Sequence, residues 1–134
     1  MHLQIIRTTG KSIPNDKRYL HELDETEYGG IQVGDIYNVY GLMIIHDRVD
    51  ALISPDDGRP LWIPQYIFEM QPEDQIKKWN LKIIDDRDEY KYLKYSFGVV
   101  MLMGYSRLLE SYHHYLGILE GDRDELDYFY NNIK

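Results

Sequence analysis

The side chains that could do chemistry in this chain are two adjacent histidines, three acidic clusters, five serines and one glycine-lysine-serine step. His113 and His114 are the best metal candidates. A helix presents two ligands to one ion at i, i+4 spacing, as in HExxH sites, whereas neighbouring residues point about 100° apart. A third ligand would have to come from elsewhere, so solvent-facing and half-buried histidines are the expected outcome. Asp56-Asp57-Gly58 has the start of a calcium loop. The following Arg59-Pro60-Leu61-Trp62 lacks the alternating oxygen ligands, and no glutamate stands at the twelfth position, so a hairpin turn accounts for it. Gly10-Lys11-Ser12 lacks the upstream glycine of a phosphate loop, and Pro14 follows where a helix should start. The serines at 12, 54, 96, 106 and 111 sit in no nucleophile motif. No pair of carboxylates stands out for hydrolysis, and no cofactor or metal is implied.

The chain has no cysteine, which excludes disulfides, thiolate catalysis and cysteine-based zinc sites. It has 134 residues and a net charge of −8, and residues 47–90 hold 11 acids against 6 bases. An acidic surface repels nucleic acid and anionic lipid and attracts basic partners. No apolar run reaches the length of a membrane span, and no secretory signal opens the chain, so a cytoplasmic protein is expected. The acids of the middle segment form a recognition candidate: Asp47, Asp50, Asp56, Asp57, and the run Asp85, Asp86, Asp88 and Glu89. Gathered like charges cost stability, and a cationic partner would relieve them. The 13 tyrosines suit half-buried positions and interfaces, each having an apolar body and a polar tip.

Those residues need elements to hold them. The pattern predicts one domain over 1–134, β-rich over 1–103 and helical over 104–134. A first strand fits His2–Arg7. Residues 14–34 read as a long charged loop with one helical turn near Lys17–Leu23, the kind of segment that is often functional or mobile. Asp35–Ile45 reads as one strand with a bend or bulge at Gly41. Val49–Ser54 and Leu61–Ile63 make a hairpin around the Pro-Asp-Asp-Gly turn, and Pro64 stops ladder donation, which suits a sheet edge or a single helical turn. Pro72 opens a break, with a turn at Gln75–Lys78, and Trp79–Ile84 alternates as a strand. Tyr90–Met103 reads as strand, with a helix over Val99–Met103 as the alternative. Leu108, Tyr112, Tyr115 and Leu119 then fall on one face of a helix capped by Ser106 and ended by Gly121. Asp122 with Glu125 caps a second helix, whose apolar stripe is Leu126, Phe129, Tyr130 and Ile133. The fold class is α+β: a small antiparallel twisted sheet or partial SH3-like barrel followed by two C-terminal helices. Trp62, Phe68 and Trp79 are expected in the core.

A resemblance can be placed on particular residues: Tyr37, Val39 to Leu42; Ala51 to Ile53, Asp56-Asp57-Gly58, Pro60, Trp62, Pro64 and Phe68-Glu69-Met70; Trp79; Gly104-Tyr105, Leu108, Tyr112, Tyr115 and Ile118 to Glu120. This pattern resembles small bacterial immunity proteins of contact-dependent and polymorphic toxin systems, loosely over residues 35–130. The resemblance implies SH3-like strands and a non-enzymatic protein that binds a cognate toxin domain, often a cationic nuclease. Its carboxylates would stand in for the phosphates of the toxin's substrate, and aromatic anchors, Tyr90 and Tyr92 here, would complete the surface. An SH3-like adaptor that binds a peptide is the alternative, and a small carboxylate-based hydrolase a further one.

Overall fold

The computed structural model describes residues 1–56, 58–71 and 78–134; Asp57, the break at Pro72 and most of the Gln75–Lys78 turn lie outside them. Its strands are β1 His2–Ile5, β2 Ile36–Asn38, β3 Gly41–Ile45, β4 Arg48–Ile53, β5 Leu61–Pro64, β6 Phe68–Met70, β7 Asn80–Ile83 and β8 Val99–Gly104. Its α-helices are α1 Lys91–Phe97, α2 Ser106–Glu110, α3 Tyr112–Glu120 and α4 Arg123–Asn132. The strands form two antiparallel sheets, β2-β1-β6 and β5-β4-β3-β8-β7, so the chain is α+β with its helices gathered toward the C-terminus.

Alternation along β4 explains the layering. Ala51 and Ile53 face one way and pack with Ile63 of β5, Leu3 and Ile5 of β1 and Phe68 of β6. Leu52 faces the other way and joins Met43, Ile45 and Leu102 beneath Leu93, Leu108, Ile118 and Phe129 of the helices. The larger sheet is thus covered by the smaller sheet on one face and by helices on the other. Fully burying a side chain such as Phe129 or Leu102 stabilises by roughly 1.5–3 kcal/mol. Phe68 is buried, and Trp62 and Trp79 are half-buried against the two cores.

Four local expectations are corrected. The single strand over Asp35–Ile45 is two strands in different sheets, parted at Val39 and Tyr40. Gly41 is no bend. It lies opposite Gly104, and a Cβ at either would press on the Leu108 side chain, so the pair lets α2 settle onto the sheet. The bulge falls instead at Ile44 and Ile45, against Val99–Met101. Within Tyr90–Met103 the strand reading holds from Val99 on, and the first half is helical. Lys91–Phe97 is the helix, closed by Gly98 at φ +79°, whose N–H reaches the carbonyls of Leu93 and Lys94. Val99–Gly104 is the strand, paired on both sides. The helix expected from Ser106 is two helices. Ser111 is extended, and its Oγ accepts from the His114 N–H at 3.1 Å, while Ser106 Oγ accepts from Asn80 at 2.8 Å. Gly121 at φ +85° and Asp122, accepting from the Glu125 N–H at 3.1 Å, separate α3 from α4 as their types predict.

Candidate functional site

Register divides the acidic residues. Ile45 pairs with both Arg48 and Val99, and Ile83 pairs with Met101. The β3–β4 turn with Asp47 and the segment 84–98 therefore share one end of the larger sheet. Gly41 pairs with Leu52 and Gly104, which puts the turn after β4, with Asp56, at the opposite end. Asp56 is exposed there, 3.9 Å from Lys134. Asp47 is bound by Lys17 and by the Tyr19 hydroxyl, and the Lys17 hydrogen bond, then that of Tyr19, holds its carboxyl down at about 2.

Asp50 is not on the surface. It is 1% exposed and takes both prongs of Arg48, Nε to Oδ1 at 2.8 Å and Nη2 to Oδ2 at 2.9 Å. A carboxylate in that position is unavailable to a partner. The alternation that places Leu52 toward the helices places Asp50 on the same side, two residues earlier. Tyr90 is likewise no anchor: it is 2% exposed and its hydroxyl donates to the Leu108 carbonyl at 2.6 Å.

Of the other predicted residues, Asp85, Asp86, Asp88, Glu89 and Tyr92 come together on one turn and the helix after it, and Asp57 lies outside the described residues. Asp85 to Asp88 form a tight turn in which Asp85 accepts from the Arg87 N–H at 2.8 Å, the main cause holding its carboxyl below the usual range. Asp88 accepts from the Tyr90 N–H at 2.9 Å and so sets the entry to α1. Burial works to raise the Asp88 carboxyl, but Lys82 and that N–H outweigh it and keep it low. Asp86 accepts from Tyr95 and lies 3.7 Å from Lys94.

Behind this turn lies a groove of about 420 Å³, walled by Asp88, Glu89 and Tyr90 on one side and by Glu110, Tyr112 and His113 of the α2–α3 junction on the other. Lys82 also lines it but is already committed to Asp88, and its ammonium lies 4.8 Å from the Tyr90 ring centroid. Glu89 and Glu110 make no ion pair among the described residues and are exposed. Tyr92, 58% exposed, stands 6.4 Å from Tyr112, which stacks on buried Tyr115 at 6.1 Å and 10°. The aromatic rings thus run from the rim of the groove into the core. Burial, then Glu120 and the other neighbours, raises the Tyr112 phenol. Two uncommitted carboxylates beside a tyrosine face suit a guanidinium or ammonium, which gains charge pairing and a cation–π contact together.

Sequence reading missed Glu110, Tyr112 and His113 as members of this site. Glu110 is only an exposed helical residue in its own segment, and nothing local says that the turn before α1 will sit beside it. The helical spacing puts Tyr112 on the buried face, whereas it is half-buried. The adjacent histidines diverge as expected. His113 is exposed, and His114 is fully buried between Glu125 and Tyr105, with 2.6 Å from Nδ1 to Oε2 and 2.7 Å from Nε2 to the phenol oxygen. Among the described residues no group of three His, Asp or Glu side chains could hold a metal, and no helix is long and apolar enough to cross a membrane. No protein family, curated protein or solved structure matches the chain.

Proposed function

We propose that this chain is a protein-binding module that docks a cationic protein domain on the acidic end of its larger sheet, and that, as the resemblance over residues 35–130 implies, the domain is a toxin which it neutralises. The observation that carries the reading is the groove in which Glu89 and Glu110, beside Tyr112, make no ion pair among the described residues. Asp85, Asp86 and Tyr92 flank it on the same turn and helix, so four carboxylates and an aromatic rim of Tyr92 and Tyr112 would face a partner together. On this reading the carboxylates act by charge and steering, and no bond is made or broken.

Interaction with a basic toxin domain encoded beside this gene tests the proposal. Co-expression should protect cells from that domain. Association of the purified pair should slow by about tenfold or more in the Glu89→Lys, Glu110→Lys double variant, and the wild-type rate should fall with added salt. Protection lost with folding intact supports the assignment. Protection and association unchanged by the double reversal, at a rate indifferent to salt, would overturn it. Binding to a short uncharged peptide instead would favour the adaptor reading.

A further inference from the structure

β7 ends the five-stranded sheet. It pairs with β8 on one side, and no strand among the described residues pairs with the other. The outward N–H and C=O groups of such an edge are a template for another strand. Edges are commonly protected by proline, by a bulge or by a lysine aimed across them. β7 has no proline, its register is unbroken, and its one lysine, Lys82, is held by Asp88 on the helix side of the sheet. The opposite face carries Leu81 and Ile83, 55% and 72% exposed, and Ile83 is the most exposed of the large apolar side chains described.

The charges around this strand run from basic to acidic. Lys78 precedes it, exposed and in no ion pair among the described residues, and Asp85 and Asp86 follow it. Antiparallel pairing of the segment with itself superposes unlike ends. With Lys82 opposite its own copy, Leu81 of each chain faces Ile83 of the other, and Lys78, just before the strand, lies toward the acidic turn of the other chain that holds Asp85 and Asp86. A two-fold axis perpendicular to the sheet keeps all four apolar side chains on one face, as an isologous contact requires. The two Lys82 ammonium groups are each already neutralised by Asp88. We infer that a second copy of this chain is the occupant of the β7 edge, and that the two larger sheets join into one across the dimer.

The inference does not depend on the proposed cationic partner and has its own test, although Lys82 lines the groove and Asp86 flanks it. Sedimentation of the purified protein should show a concentration-dependent dimer. Leu81→Lys with Ile83→Lys should give a monomer of unchanged circular dichroism, because both side chains are exposed. Lys78→Asp should weaken the dimer, and adding Asp86→Lys to it should restore it. Since the chain has no cysteine, Lys82→Cys introduces a single thiol. Directly opposed residues of antiparallel strands lie within disulfide reach, so mild oxidation should cross-link this variant, and should leave a Val33→Cys control monomeric. A wild-type monomer at every concentration overturns the inference, and so does a dimer that persists in the folded double-lysine variant. Equal cross-linking of the two cysteine variants overturns the register.

Discussion

Arg48 and His114 are both fully buried, and each lies among acids and tyrosines, yet they settle their charge in different ways. Arginine cannot release its proton, so Arg48 needs anions brought to it. Asp50 comes from the same strand, and Glu22 comes from 26 residues earlier, with 2.8 Å from Arg48 Nη1 to Glu22 Oε2. The guanidinium also donates to the Lys17 carbonyl at 3.0 Å, and Glu22 accepts from the Leu20 N–H at 2.9 Å. The segment 14–34, expected as a functional or mobile loop, is thereby tied to the central sheet. Histidine can be neutral, and His114 is: burial lowers its proton affinity against the pull of Glu125. Glu125 stays ionised, since His114 and the Arg107 guanidinium outweigh the effect of its burial. Nδ1–H then donates to Glu125, and Nε2 accepts from Tyr105. One network holds a distant segment by ionic attraction. The other joins α3 to α4 by hydrogen bonds, with Arg107 laid over Tyr128 at 4.0 Å.

The sharpest way to break this contrast is Arg48→Met. It leaves two buried carboxylates without a cation and should cost on the order of 3–5 kcal/mol in urea unfolding. Replacing Glu22 and Asp50 by leucine in the same chain should recover most of that loss, because the penalty lies in the orphaned charges. Recovery failing in a well-folded triple variant would mean that the network fixes the loop by geometry. Glu125→Gln should cost less, about 1–2 kcal/mol, because His114 needs no counter-charge and the Arg107 side chain is 41% exposed.

Acidity separates the two networks by sign. Burial, reinforced by Glu22, pushes the Asp50 carboxyl up to about 6 against the pull of Arg48. In this window the folded state binds the Asp50 proton more tightly than the unfolded chain does. Its contribution therefore grows as pH falls from about 6 toward 4. His114 is depressed below its ordinary 6.5, so the unfolded chain protonates first and stability drops as pH falls below that value. Asp50→Asn should remove the gain and His114→Gln the loss, read as opposite changes in the slope of the unfolding midpoint between pH 6.5 and 4. The smallest effect belongs to Asp47→Asn. Its carboxyl is held low by Lys17 and Tyr19, but it is 56% exposed, and its unfolding midpoint at neutral pH should match the wild type.

Much of this was legible along the chain. Gly121 and Asp122 mark a helix boundary because the left-handed cap and the side-chain cap each act within three or four residues. The Gln65–Ile67 helical turn after Pro64 follows from the same short-range chemistry. The helix in the first half of 90–103, inside a segment that reads as strand, was not legible in that way. Lys91–Phe97 holds aromatic residues that suit either state, and the choice fell to Gly98, which ends the helix, and to the two neighbours that β8 must pair with. The acidic surface was legible as composition and not as placement. Asp50 and Glu89 look alike in sequence. One faces Arg48 in the core, and the other faces solvent beside Glu110.

Composition and local spacing by themselves determined that this chain has no thiol chemistry, that its excess of acid lies in the middle, and where its sharpest turns and last helix begin. Those outcomes depend on the side-chain inventory and on contacts a few residues long. Only the tertiary structure decided which carboxylates meet water, since burying a charge requires a partner that the fold alone can deliver, as Glu22 is delivered to Arg48. The same holds for the groove, which exists because two segments some 20 residues apart close on each other across the sheet edge.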